Sequence, residues 1–197
     1  MKTSKPRATY HHGDLRTALL SAARVLLDEG GVGAVSLREA ARRAGVSPAA
    51  CYRHFTDKEA LLTALAVQGF DEFAQALGQA VQGGRQSFAE MGVAYVAFAV
   101  QRPGLFRLMF GPAVADRSRS PELLQAIAAA TRLFEGGLKS HTRGEPGSPV
   151  TGLRAWATVH GLATLAIDGM LPGYDPVMLA RALAKIPPES CKGTNSH

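Results

Sequence analysis

Within the seven residues from Tyr52 to Lys58 stand a phenol, a guanidinium (Arg53), an imidazole (His54) and an ammonium. All four donate hydrogen bonds and two are permanent cations, a set suited to the oxygens of a phosphodiester backbone. Upstream, Arg38 offers a planar fork of the kind that pairs with the edge of a guanine. Between them lie Pro48 and Ala49, short side chains that let a backbone come close to base edges and thymine methyls. This is the chemistry of recognising a polyanion, and these side chains need a scaffold that presents them together.

The scaffold is legible as two short helices joined by a glycine turn. Ser36 is followed three residues later by Glu39, a capping box that predicts a helix start. Gly45 supplies the left-handed conformation that ends this helix. Ser47 is then the N-cap of a second helix with Pro48 at its first position, where a missing N–H costs nothing. Leu37, Ala40, Ala44 and Cys51 form an inward face, Ala41 allows close approach, and Val46 is expected to be buried after the turn. Pro48, Ala49, Tyr52 and Arg53 face outward. A plainer reading is a helical hairpin with a solvated basic face.

Charge and composition agree with a polyanionic partner without naming one. The 197 residues carry a formal net charge of +6. Residues 1–60 hold ten Lys/Arg against six Asp/Glu, and the remainder twelve against ten, so the excess lies in the first third. Nearly half the chain is apolar (46%), enough to bury a core. Two cysteines, Cys51 and Cys191, form no disulfide framework and fit a reducing compartment. No run approaches the ~18 apolar residues of a spanning helix and the N-terminus has no apolar signal core, so no membrane association and a cytoplasmic location are expected.

Apolar spacing predicts an all-α protein of about nine helices. After a basic arm over 1–13, a helix starts at Asp14, with Leu15, Leu19, Ala22 and Leu26 on one face, and stops at Gly30-Gly31. The two short helices follow, then a long one from Asp57 to Gly83-Gly84. Further helical patterns cover roughly 86–102, 104–110, 121–142, 151–171 and 176–186, and the polar tail 187–197 has no periodicity.

On these motifs the chain resembles the TetR regulators. The resemblance runs from YHHGDLRTALLSAARVLLDEGG through VSLREAARRAGVSPAACYRHFTDKEALL. RPGLFRLMFG and the Trp156–Gly161 run WATVHG resemble the C-terminal domain of a subgroup named for Trp-His-Gly. The resemblance implies a DNA-binding domain over 14–60 and a helical effector-binding and dimerisation domain over 61–186. It implies that Ser36, Tyr52, His54 and Lys58 touch phosphates, and that Arg38, together with Pro48, Ala49 and Arg53 of the helix that Ser47 caps, faces bases. Cys51 departs from the larger aliphatic residue common there, and Ala49-Ala50 from the usual Gly/Thr types. The arm from Lys5 to His12 could enter a minor groove, or be only a solubilising tail.

The second half carries large apolar residues in a chain otherwise poor in aromatics. Phe70, Tyr95, Phe98, Met109, Phe110 and Phe134 are candidates for a ligand site, as are Trp156 and His160, four residues apart on one helix face. Phe73 and Phe106 belong to the same concentration. Core packing explains most of them, and a core histidine satisfied by a carbonyl or hydroxyl explains His160. For self-association the candidates are 151–171, rich in small residues from Ala155 to Gly169, and 176–186, with Met178, Leu179, Leu183 and Ile186 at helical spacing.

Catalytic patterns are missing. No metal-ligand spacing, glycine-rich phosphate loop or nucleophile elbow is present, so neither enzyme activity, metal nor cofactor is expected. His11-His12 in the arm is incidental on this reading. The expected function is a ligand-responsive transcriptional regulator, a repressor acting as a homodimer on palindromic double-stranded DNA with a small-molecule effector. The alternative is a helical small-molecule-binding protein without specific DNA binding.

Overall fold

The computed structural model describes residues 12–81, 87–141 and 149–184. The basic arm through His11, Cys191, Ile186 and the tail lie outside the described residues. Among those described the chain is all-α. The helices are α1 (His12–Ala34), α2 (Leu37–Arg43), α3 (Pro48–Tyr52), α4 (Lys58–Val81) and α5 (Ser87–Gln101). They are followed by α6 (Pro103–Phe110), α7 (Pro121–His141), α8 (Pro149–Ile167) and α9 (Pro176–Leu183).

Local chemistry sets the helix ends. α1 begins two residues before Asp14 and breaks at Gly31, which takes φ 66° and ψ −167°. At the end of α2, Val46 N–H reaches back to Ala41 O (3.0 Å) and Gly45 N–H to Arg42 O (3.2 Å), with Gly45 at φ 68°. That pair of bonds is a Schellman closure, and it satisfies carbonyls the helix leaves open. α8 ends the same way, earlier than 171: Met170 N–H meets Leu165 O at 2.9 Å and Gly169 N–H meets Ala166 O at 3.1 Å. Gly169 therefore terminates the helix instead of contributing to its small-residue face. Asp57 precedes α4 and its Oδ1 accepts from Ala60 N–H at 2.7 Å.

The chain packs as two compact units. The first comprises residues through Glu72 together with Arg102–Ala128; the second comprises Phe73–Gln101 and Ala129 onward. In the first unit Leu19, Ala23 and Leu27 of α1, Leu37, Ala40 and Ala41 of α2, Cys51 of α3, and Leu61 and Leu65 of α4 are all buried. Each such leucine contributes ~1.5–3 kcal/mol of burial. The inward face read from spacing is therefore present, except that Ala44 and Val46 are only half-buried. α6 lies directly against α1, where a Cβ on Gly104 would come 2.8 Å from Leu27 O. Glu72 adds a polar tie, accepting from Arg24 Nη1 at 3.0 Å and pairing with Arg102 Nε at 3.1 Å.

In the second unit Val96 and Ala99 of α5 are fully buried, as is Ala163 of α8, with Leu162 of α8 and Ala180 of α9 nearly so. Phe73 sits edge-on to both Tyr95 and Phe98, with ring centroids 5.0 and 5.1 Å apart.

Candidate nucleic-acid interface

Ser36 adopts extended geometry (φ −145°, ψ 152°) and its hydroxyl accepts from Glu39 N–H at 3.1 Å. The reciprocal half of the expected capping box does not form. The Glu39 carboxylate instead accepts from Arg42 Nε (2.9 Å) and Nη2 (2.6 Å), with Arg43 Nε 3.5 Å away. Two adjacent guanidinium forks outcompete one backbone amide for a carboxylate. Arg43 also makes a bidentate pair with Glu29, one arm at 3.0 Å. Hydrogen bonds from Arg43 and Arg42 hold the carboxyls of Glu29 and Glu39, respectively, below the ordinary carboxylate range, and both arginines are raised in return. Arg42 and Arg43 are thus internally neutralised, and the cations left for an external partner lie elsewhere.

They lie on and beside α3. Ser47 caps this helix, accepting from Ala50 N–H at 3.3 Å, and Pro48 occupies its first turn. Cys51, fully buried, anchors the inner side. Ser47, Pro48, Ala49, Tyr52 and Arg53 are exposed, and His54 is half-buried. After Tyr52 the chain turns on Cys51 O, which accepts from both His54 and Phe55 N–H at 3.0 Å. That turn brings the start of α4 beside the start of α2. Ser36, Leu37 and Arg38 on one side, Tyr52 on another, and Thr56, Asp57 and Lys58 on the third surround an open depression of about 310 Å³.

Four of the nine residues singled out for DNA contact, Ser36, Arg38, Tyr52 and Lys58, therefore share one concavity. Ser47, Pro48, Ala49, Arg53 and His54 are not part of its lining. Lys58 Nζ donates to Val32 O at 2.9 Å, which fixes the ammonium at the rim while leaving it further donors. The sole acid in the lining, Asp57, is occupied by Ala60 N–H and by the Thr56 hydroxyl at 3.2 Å. Thr56 was not marked by the sequence, while Leu37 was read only as an inward-facing residue and Asp57 only as the start of the long helix. The concavity can accept an anion through hydroxyl, phenol, guanidinium and ammonium groups.

The eight residues expected at a ligand site divide between the units. Phe70, Met109 and Phe110 belong to the first. There Phe70 and Phe110 meet edge-on at 5.5 Å, and Met109 is 1% exposed and lies over Gly69. In the second unit Phe134 meets Phe88 at 5.6 Å. Tyr95 joins Phe98, Trp156 and His160: it meets Phe73, which is edge-on to Phe98, and its hydroxyl accepts from Trp156 Nε1 at 3.3 Å. The hydroxyl lies 2.8 Å from His160 Nδ1. An indole N–H only donates, so the hydroxyl oxygen accepts from it, and the same hydroxyl is within hydrogen-bond distance of the imidazole. Burial pushes the Tyr95 phenol well above its usual range and lowers His160, keeping both neutral.

No three His, Cys, Asp or Glu side chains among the described residues are grouped to hold a metal ion. No helix among them is long and apolar enough to cross a membrane.

Comparison with known proteins follows this geometry. Residues 19–65 match the model for bacterial regulatory proteins of the tetR family, and 88–185 match a tetracyclin repressor-like C-terminal domain. An uncharacterized HTH-type transcriptional regulator of Bacillus subtilis, YobS, is 30% identical over 92 residues. That alignment covers 45% of this chain and 47% of YobS, so the chain spans about half the length of the curated relative it matches. A solved protein of unknown function from Rhodococcus sp. RHA1 is 38% identical with a TM-score of 0.79, covering 90% of this chain and 95% of that one. PfmR, a TetR family transcriptional regulator from Thermus thermophilus, shares the fold at 23% identity and TM-score 0.61, over 84% of this chain and 94% of its own. With both halves matched and the helix-turn-helix in place at 37–52, the chain belongs to the TetR family of transcriptional regulators and carries that family's DNA-binding domain.

Proposed function

We propose that the protein is a ligand-responsive repressor that binds a palindromic operator as a homodimer. The observation carrying the DNA contact is the concavity shared by Ser36, Arg38, Tyr52 and Lys58, next to the exposed start of α3. A phosphate seated there meets donors from three separate chain segments, while Pro48, Ala49 and Arg53 face the groove. Arg38 and Arg53 read bases or adjacent phosphates; Tyr52, His54 and Lys58 anchor.

Two-fold association is supported by the outward apolar side chains of α8 and α9. Val150, Leu153 and Met178 are 66, 60 and 60% exposed, a state apolar groups leave when a partner covers them. A symmetric pair presents two recognition helices to half-sites one or more helical turns apart, ~34–36 Å per turn. The effector is a small molecule, and the Trp156–Tyr95–His160 cluster is the polar point at which it is read, with Phe98 and Phe134 as apolar neighbours. Phe70, Met109 and Phe110 serve packing of the first unit. The protein acts in the cytoplasm by binding, not by catalysis.

The test is a gel shift of DNA from upstream of the protein's own gene, at two salt concentrations. A sequence-specific shift that weakens with salt is expected. Absence of any specific shift up to micromolar protein overturns the reading in favour of a helical binding protein without DNA specificity.

A further inference from the structure

Six arginines lie between the start of α1 and Lys58: Arg16, Arg24, Arg38, Arg42, Arg43 and Arg53. Arg24 pairs with Asp28 and Glu72, Arg42 with Glu39, and Arg43 with Glu29 and Glu39. Arg16, Arg38 and Arg53 have no carboxylate partner among the described residues. Arg38 and Arg53 belong to the interface already described. Arg16 belongs to α1 and has no role in it so far.

Arg16 is exposed, yet its position is defined. Its guanidinium carbon stands 5.4 Å from the centroid of the Phe55 ring. Phe55 is 3% exposed and is held from behind by its N–H bond to Cys51 O. It directly follows His54 and precedes Thr56, which lines the anion-accepting depression. The ring thus fixes a cation on the surface at the end of the Tyr52–His54 segment. The guanidinium makes no hydrogen bond or ion pair among the described residues, so its N–H groups stay available to an outside acceptor. An aliphatic side chain would cover Phe55 as well; a long cationic one covers it and also presents a charge outward.

We propose that Arg16 is a further phosphate contact, reaching the DNA backbone from α1, with Phe55 as its positioning residue. This rests on the DNA-binding reading above. It extends the contacted backbone beyond the α2–α3–α4 concavity to the first helix, and it adds affinity without adding sequence choice.

The experiment measures binding of the full chain to one fluorescein-labelled mixed-sequence duplex over a series of KCl concentrations. Wild type, Arg16→Gln, Arg16→Lys and Phe55→Leu are compared, with melting curves for each. Loss of one phosphate contact lowers the slope of log K against log salt by about 0.9 per protomer. The expected result is that loss for Arg16→Gln, a wild-type slope for Arg16→Lys, and a reduced slope for Phe55→Leu although its charge is unchanged. A wild-type slope for Arg16→Gln, whatever its melting temperature, reduces Arg16 to a staple between α1 and Phe55 and overturns the proposal. Salt-independent or absent binding by wild type overturns the DNA-binding reading itself, and the Arg16 contact with it.

Discussion

Lys58 Nζ donates to Val32 O at 2.9 Å, tying the first residue of α4 to the chain just after the Gly31 break in α1. The ammonium is therefore fixed at the rim of the concavity before any partner arrives. A preplaced cation loses little freedom on binding an anion, which favours affinity.

Tyr52 is half exposed and Lys58 exposed, so neither supports the core. The double variant Tyr52→Ala, Lys58→Ala is expected to lose DNA binding while keeping its oligomeric state. Gel shift and light scattering on the same preparation check this. A variant that dissociates into monomers contradicts the division between DNA contact and association.

Gly45 and Gly104 are constrained for different reasons. At Gly45 a Cβ meets nothing within 4 Å, but φ is 68°, so Gly45→Ala costs only the backbone term, ~1–2 kcal/mol. Gly45→Asn should recover part of that, since Asn tolerates the left-handed region. Gly104→Ala forces a methyl to 2.8 Å from a backbone oxygen and should cost ~1–3 kcal/mol through displacement of α6 from α1. Denaturant titration separates the two: asparagine rescues at Gly45 and not at Gly104.

Burial lowers the pKa of His160 from 6.5. The unfolded chain then binds the proton more readily than the folded one. Above pH 6.5 both states are neutral and His160 contributes no pH dependence; as pH falls below 6.5 stability declines until the folded pKa is passed. His160→Gln, a polar side chain of similar reach that does not titrate, should melt with a shallower decline over that window. Identical pH profiles for the two proteins would remove His160 as the cause.

Leu153 and Met178 are both 60% exposed on their helices. Leu153→Glu or Met178→Glu should convert a dimer to monomers without lowering helicity, because a carboxylate is costly only when a partner buries it. Sedimentation velocity decides it, and a wild type that sediments as a monomer refutes the association.

Much of the scaffold was readable because it depends on neighbours in the chain. Gly45 and Ser47-Pro48 act within a turn of themselves, and apolar spacing places Leu19, Leu37, Ala40 and Cys51 inward whatever lies across from them. The end of α8 differs from the expected 171 because a Gly can sit inside a helical pattern or close it, and only the αL conformation at Gly169 distinguishes the two.

Partner choice among competing groups could not be read this way. Spacing paired Glu39 with the Ser36 amide; in the fold Arg42 and Arg43 hold it, since a charged fork wins a competition that sequence does not rank. Which aromatics share a neighbourhood was equally invisible: Phe70 and Tyr95 look alike along the chain and lie in different units. The amino-acid sequence alone determined which segments are helical, the N-caps at Ser36 and Ser47, and the donor set from Tyr52 to Lys58, because those follow from bonds within a turn or two. Tertiary structure alone decided that Ser36 and Arg38 join Tyr52 and Lys58 around one concavity, and that Arg16 lies over Phe55. Those juxtapositions follow from how whole helices bury their apolar faces against each other, not from any local bond.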